Sequence, residues 1–548
     1  MQQFRFVVLT GCVLLAWNLG YAGESDRSLI NQSRSIKQHM QQQKQAAVSL
    51  AKKQGFPVLV RTKDGATLEL MSIENGRPVY YTDHNLETAA TVNTDKIREN
   101  EALGYSLSGQ GQTPAMWESG VVRANHREFG DRVHVMDEAE ISRHATHMAG
   151  TMIAEGIDEK AKGMAYKANL NSFDWNLDLA EMTEQAGSGL NLSNHSYGPQ
   201  AGWLYDLFGD YLWVWYGDPA ISPLEDYQFG YYSGRARDWD ELAHQAPYYL
   251  IVISAGNDRN EGGPVSGEHW VFTEGEWKKS SAARECDGGR DGFDSISGPA
   301  LAKNVLTVGG VYPLYRDYLY PDQVRMTRFS CWGPADDGRI KPDITAVGDN
   351  VYSTSSVSND VYSLTSGTSS ATASVSGTLA LLNEHCESVY TQTLQASTLK
   401  GLVIHTAQEA GEHPGPDYQF GWGLLDAADA VTLITLDAAA GGGFYLRELT
   451  LSEGQTLDIP VTCSGTEPLT ATLCWTDPAG PELEPALNNI QSVLINDLDM
   501  KLVGAGSNAG KEYEPWILDR PFPNLPAKTG DNDLDNVEKI DVAQPDAG

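Results

Sequence analysis

Apolar and polar positions change their spacing several times along the chain. Residues 25–53 are polar, Gln-rich and made of helix formers, and Gly55 stands where a left-handed residue ends a helix. Three short β-prone runs follow, at residues 58–61, 67–73 and 79–82. Asp64-Gly65 and Asn75-Gly76 lie between them, the dipeptides that tight hairpins use. Between about residue 99 and residue 437, apolar runs such as 248–254 and 304–311 alternate with helical stretches, among them an Ala-rich helix beginning near Ser369. That alternation predicts an α/β fold, a parallel sheet covered by helices, with functional groups at the carboxyl ends of the strands. After Ala438 the helical spacing stops. Residues 444–451, 457–463 and 470–475 then read as strands separated by turns, the pattern of a second, all-β sandwich domain.

An aromatic-rich insertion at residues 203–232 interrupts the alternation; aromatic stripes of this kind more often pack a core than line a groove. At the N-terminus, Arg5 precedes an apolar run at 6–19, and Gly20-Tyr21-Ala22 supplies small residues for cleavage. Residues 1–22 therefore read as an export signal cut after Ala22, and the run is shorter than the roughly 20 residues a membrane span needs. Leu9-Thr10-Gly11-Cys12 resembles a bacterial lipobox, but the apolar run continues past Cys12. The expected organisation is a signal at 1–22, a leader at 23–98 that in an exported hydrolase fits a propeptide, an α/β unit at 99–437 and a β unit at 438–548. Pro545-Asp546-Ala547-Gly548 is turn-like with no closing strand after it, as in a chain cut short.

The 548 residues exceed one ordinary hydrophobic core, and 41% hydrophobic with 20% charged residues is the composition of a globular protein. A formal charge of -34 repels nucleic-acid phosphates and anionic head groups, which argues against nucleic acid and, once the signal is gone, against a membrane as partner. Removing the signal leaves Cys286, Cys331, Cys386, Cys463 and Cys474, an odd set too sparse for a disulfide scaffold. Cys463 and Cys474 lie in neighbouring predicted strands where they could pair. The alternative is that all five are small buried apolar residues.

Three separated segments each have the composition of one part of a serine-hydrolase site. In Ser366-Gly367-Thr368-Ser369-Ser370-Ala371 a glycine permits a tight turn and a serine stands at the mouth of a helix. Free N–H groups and the positive dipole end there suit a nucleophile whose reaction passes through an oxyanion, although a capped helix would have the same string. In Ser142-Arg143-His144-Ala145-Thr146-His147-Met148-Ala149-Gly150-Thr151 two histidines precede small residues; the pair at i and i+3 also resembles metal ligands, but no third ligand stands at catalytic-zinc spacing. Val252-Ile253-Ser254-Ala255-Gly256-Asn257-Asp258 is a buried strand ending in a carboxamide, which donates hydrogen bonds without charge as an oxyanion hole requires.

Together these segments resemble the subtilisin-like family, the subtilases, through its motifs GTSMA, HGTHVAG and SAGN in the family's order. The resemblance runs from about Gly104 to Ala430 and includes Phe329-Ser330-Cys331-Trp332-Gly333-Pro334, Lys341-Pro342-Asp343 and Phe420-Gly421-Trp422-Gly423. It implies a secreted endopeptidase, extracellular or periplasmic, acting on proteins or peptides with no cofactor required for the chemistry. It makes His144 the base, Ser369 the nucleophile, and Asn257 with the Ser369 N–H the oxyanion hole. Leu192-Ser193-Asn194-His195-Ser196-Tyr197-Gly198 matches the segment that pairs with substrate backbone, so Ser196, Tyr197 and Gly198 are expected to add a strand to a bound peptide. Departures are Ala373 and Ala145, where the family has Pro and Gly, and Trp117-Glu118-Ser119-Gly120 in place of a motif such as WDGG. The third triad member is then Glu118. Ser119 in place of glycine fits a backbone adjusted to the longer acid.

The C-terminal region is similar to the β-barrel domain of some large bacterial subtilases, through Cys474-Trp475-Thr476-Asp477-Pro478-Ala479-Gly480 and Asn496-Asp497-Leu498-Asp499. Within it Asp531, Asp533 and Asp535 alternate along a turn-rich stretch, an oxygen cluster that suits structural calcium, although a solvated acidic loop is the commoner outcome of such a composition. The altered acid also fits a catalytically silent subtilase fold that binds peptides. A lipase or esterase fits poorly, because Ser369 is not presented on a G-x-S-x-G elbow. Nothing in the sequence fixes the oligomeric state.

Overall fold

The computed structural model describes residues 5–10, 22–61, 67–74, 77–83, 89–98, 103–264, 267–314, 317–390, 393–505 and 509–548. At its centre is a seven-stranded sheet in the order Ile344–Val347, Leu306–Val311, Leu250–Ser254, Leu192–His195, Ala115–Glu118, Leu170–Asp174, Val133–Val135. All six pairings are parallel. Every residue of Leu250–Ser254 and of Leu306–Val311 is buried, as expected when helices cover both faces of a sheet and strands lose polar alternation. The strand order reverses beside Ala115–Glu118, whose neighbours are the third and fourth strands of the sheet in chain order. Such a switch point opens a crevice at the carboxyl ends, where ligands of α/β sheets bind.

The Ala-rich helix spans Thr368–Tyr390 and is buried along most of its length. Small residues let it lie close to its neighbours: a Cβ on Gly377 would sit 2.7 Å from the Met164 side chain. Among the described residues no helix is long and apolar enough to cross a membrane.

The leader forms the expected helix, Ala22–Gln54, ended by Gly55 at φ +82° with its N–H on the Ala51 carbonyl at 2.8 Å. Strands Leu59–Arg61, Thr67–Glu74 and Arg77–Asp83 follow as antiparallel neighbours. The turn residues Asp64-Gly65 and Asn75-Gly76 lie outside the described residues, as does Cys12 of the lipobox-like string. Within the stretch read as an export signal, Arg5–Thr10 is a strand, parallel to Leu446–Leu449 on one side and Leu469–Trp475 on the other.

Beyond Ala439 the described residues contain strands and no helix. Leu469–Trp475 and Val537–Val542 pair antiparallel, and Leu502–Val503 with Glu512–Tyr513 and Trp516–Ile517 with Lys528–Thr529 make two short ribbons. Residues 457–463 do not join a ladder; Cys463 exchanges both backbone hydrogen bonds with Gly548, and Val461 packs against the core. With that strand unpaired, Cys463 does not meet Cys474. All five described cysteines are free, Cys331, Cys386 and Cys474 buried, Cys463 half-buried and Cys286 exposed. The aromatic insertion does pack: Trp203, Trp215, Tyr216, Tyr227, Phe229, Tyr231 and Tyr232 are all buried. Its strands Trp203–Tyr205 and Trp213–Trp215 continue into His269–Thr273 and Glu276–Ser280, a second sheet against which the leader rests.

Candidate active site

Glu118 is the last residue of strand Ala115–Glu118, beside the switch point, and is fully buried. His144 sits in the first turn of helix Arg143–Ile153, which is capped by Ser142 accepting the Ala145 N–H at 3.1 Å. The Glu118 carboxylate oxygen Oε2 lies 2.6 Å from His144 Nδ1. The longer acid therefore reaches the ring from the position where the family places aspartate. Ser119 and Ser142 join their hydroxyls at 3.0 Å, tying the acid's strand end to the cap of the histidine's helix. Asp137, close by in sequence, accepts the Asp174 N–H at 2.7 Å.

His147 belongs to a different environment. Its Nε2 meets the Ser363 carbonyl at 3.2 Å, and burial pushes its pKa down to about 3, so it is a neutral core histidine. That places it apart from the metal-ligand alternative.

Ser369 occupies the second position of its helix and is fully buried. Its hydroxyl donates to the Ser196 carbonyl at 3.2 Å, and the Ser196 hydroxyl donates back to the Ser369 carbonyl at 3.1 Å. Asn257 follows strand Leu250–Ser254. Its carboxamide oxygen accepts the Thr368 N–H at 2.9 Å and lies 3.1 Å from the Thr368 hydroxyl. Fixing the oxygen in this way assigns the amide orientation and leaves Nδ2 as the donating end. Thr368 and Ser142 stand within the quoted motifs without a role assigned to them there, and both make contacts that hold the site residues. Each carries its own signal, a hydroxyl at a helix start.

Strand Tyr197–Pro199 pairs antiparallel with the leader strand Arg77–Asp83, in the register Tyr81 with Pro199, Thr82 with Gly198 and Asp83 with Tyr197. Behind this edge runs a buried chain of hydroxyls. Tyr249 donates to Ser193 at 2.7 Å, Ser193 and His195 Nε2 are 2.8 Å apart, His195 Nδ1 and the Tyr197 hydroxyl 3.1 Å, and Tyr197 donates to Asp178 at 3.0 Å. The two ends fix the direction. Because Tyr197 gives its proton to Asp178, His195 must donate from Nδ1 and accept at Nε2, and burial keeps it neutral with a pKa lowered to about 3.

The acidic positions near the C-terminus separate. Asp535 turns toward the catalytic unit, accepting the Ile340 N–H at 2.8 Å and the Asn532 amide at 3.2 Å. Asp531 and Asp533 instead lie near Asp497, whose pKa is raised by burial and then by Asp499, Asp533 and Asp531. Among the described residues no three His, Cys, Asp or Glu side chains are grouped to hold a metal ion.

The family model for the subtilases, Peptidase_S8, matches residues 113–423. The chain belongs to the subtilase family. It carries the catalytic domain of that family of serine peptidases. C5a peptidase of Streptococcus pyogenes is 34% identical over 122 residues, 21% of this chain and 10% of that protein. Pyrolysin of Pyrococcus furiosus is 36% identical over 109 residues, 17% of this chain and 8% of that protein. The matches thus span about a tenth of the length of these relatives. Among solved structures, the patellamide maturation protease PatA aligns with a TM-score of 0.40 at 19% identity, covering 61% of this chain and 98% of that one.

Proposed function

We propose that the protein is a secreted serine endopeptidase working through an acyl-enzyme, with Glu118, His144 and Ser369 as its triad. The observation that carries this reading is the buried 2.6 Å contact between Glu118 Oε2 and His144 Nδ1. A carboxylate there holds the ring with its proton on Nδ1 and leaves Nε2 as the unprotonated, basic nitrogen, the state a general base needs. Ser369 Oγ bonds to the substrate carbonyl carbon while its proton passes to His144 Nε2. The oxyanion so formed accepts hydrogen bonds from Asn257 Nδ2 and the Ser369 N–H. His144 then protonates the leaving amine, and water repeats the sequence on the acyl-enzyme.

The leader is read as a propeptide. Its strand Arg77–Asp83 lies along Tyr197–Pro199, where Ser196, Tyr197 and Gly198 would pair with a peptide substrate, so leader and substrate compete for one edge. Residues 1–22 are read as the export signal, and the strands after Ala439 as a barrel or sandwich domain appended to the catalytic unit. A peptide-binding protein without turnover is the second reading, favoured by the Ser369 hydroxyl resting on the Ser196 carbonyl. Reaction with a serine-directed fluorophosphonate decides between them. Labelling at Ser369 of leader-free protein supports the peptidase; folded, leader-free protein that stays unlabelled overturns it.

A further inference from the structure

Two carboxylates outside the proposed triad converge beside Gly230. Asp336 is 4% exposed, and its Oδ2 accepts the Asn489 N–H at 3.1 Å while its Oδ1 is buried with no hydrogen-bond partner in the protein. Asp294 Oδ1 is likewise buried without a partner. Both oxygens face one place: a Cβ built on Gly230 would sit 2.4 Å from Asp336 Oδ1 and 2.5 Å from Asp294 Oδ1. Among the described residues neither carboxylate is in an ion pair; Arg520, whose guanidinium holds the Asn488 carbonyl at 3.5 Å, is the positive charge that acts on both, without giving either unpartnered oxygen a hydrogen bond.

The backbone holds this meeting in place. Asp336 N–H bonds the Gly230 carbonyl at 2.9 Å, Asp294 N–H bonds the Gly333 carbonyl at 2.8 Å, and Gly230 N–H bonds the Ile296 carbonyl at 2.9 Å. Gly230 is left-handed at φ +72° and Asp294 at φ +55°, a conformation that an L-residue adopts at a cost unless something compensates. Two buried acceptors facing each other with no donor between them are a desolvation and repulsion penalty that a cation, or a shared proton, removes.

We propose that Asp294 and Asp336 bind a divalent cation beside Gly230, with calcium as the ion their hard oxygen donors fit. Calcium takes oxygen ligands at about 2.3–2.6 Å and completes a coordination sphere of 6–8 with carbonyls and water, so two carboxylates place the affinity in the range of about 10⁻⁴–10⁻³ M typical of extracellular modules. The ion braces a junction. Asn489 on Asp336 and the Tyr231 hydroxyl on the Leu483 carbonyl, at 2.6 Å, both hold the C-terminal segment against the catalytic unit.

This site is independent of the peptidase reading, and its test uses full-length Ser369→Ala protein, stripped with chelator and dialysed against radioactive calcium at millimolar concentration. The expected result is one bound ion fewer per chain in Asp336→Asn and in Asp294→Asn, whatever calcium is held elsewhere. Gly230→Ala, which keeps both charges but fills the space between them, is expected to lose the same ion. The near-isosteric Asn variants serve if the alanine is not tolerated at positive φ. Unchanged calcium stoichiometry in both Asn variants overturns the site in favour of a shared proton. Loss in the Asn variants with retention in folded Gly230→Ala overturns its placement beside Gly230.

Discussion

The leader's apolar residues are buried against the catalytic unit, whereas most of the catalytic unit's are buried against one another. Ala47, Ala51, Phe56 and Leu70 share a cluster with Leu207, Val214 and Tyr216 of the aromatic insertion. The parallel sheet instead has a core drawn mainly from its own strands and helices, from Met116 and Leu250 to Leu379 and Val431, joined at its margins by Val92 and Ile97 and by Leu446, Cys474 and Val537. The difference is that between a scaffold and a bound segment. A domain with its own core survives loss of a neighbour; a helix and hairpin that complete their core on another surface are stable only while docked. The insertion that interrupts the α/β pattern provides one part of the leader's seat, and helix Asp178–Ala186 with strand Tyr197–Pro199 provides another.

The largest effect expected is from Ser369→Ala, which should abolish peptide hydrolysis and leave the leader attached in exported protein, read by mass spectrometry of the N-terminus. Active enzyme with an intact leader would break the contrast between scaffold and removable segment. Glu118→Gln should lower kcat by about 10⁴-fold, because an amide presents the wrong partner to His144 Nδ1. Glu118→Asp should keep measurable activity, reduced by about 100-fold as the carboxylate draws back from a ring placed for the longer side chain. Parent-like turnover in Glu118→Gln would remove Glu118 from the triad. Asn257→Ala should cost about 10²–10³ in kcat with little change in KM, the loss known for the oxyanion donor of subtilisin, itself a subtilase.

A smaller, pH-dependent effect sharpens the comparison at the leader's seat. Helix Asp178–Ala186 packs against the leader helix, and burial, then Asp137, pushes the Glu181 carboxyl up to about 8 from 4.5. Burial pushes Asp178 up to about 7 from 3.8. A carboxyl whose folded pKa is raised binds more protons folded than unfolded. Its contribution is fully present below the unfolded value and is lost as pH rises through the folded one. Thermal stability of the leader-bound Ser369→Ala protein should therefore fall as pH rises from about 4 to about 8, and Glu181→Gln should flatten that slope. A slope unchanged by Glu181→Gln would show that other carboxyls dominate.

Much of this was legible in the sequence because its causes are local. The leader helix and its Gly55 stop follow from helix formers and a left-handed glycine, and the strands Leu250–Ser254 and Leu306–Val311 follow from apolar runs of strand length. The site residues were legible because each motif holds its own turn or helix start. What escaped depends on contacts across the chain. Residues 457–463 have strand composition but pair with no strand among the described residues, and Cys463 exchanges backbone hydrogen bonds with Gly548 instead. Asp535 has the same identity and spacing as Asp531 and Asp533, yet a buried backbone donor at Ile340 turns it elsewhere. The convergence of Asp294 with Asp336 brings together residues 42 positions apart by numbering, and no local pattern marks it.

The hydroxyl chain from Tyr249 to Asp178 has a consequence for how tightly a peptide can be held. Every hydroxyl in it gives its proton in one direction, so rotating Ser193, His195 or Tyr197 breaks two bonds at once. The edge strand is thereby frozen when the protein folds, before any peptide arrives. A peptide that adds to Tyr197–Pro199 then loses only its own conformational freedom, and less of the interaction energy is consumed by ordering the protein. Tyr197→Phe, which cuts the chain at its link to Asp178, should leave the backbone ladder available but return part of that disorder. The change should appear as weaker peptide binding with a less favourable entropy in calorimetry, on leader-free Ser369→Ala protein, at little cost in contact area.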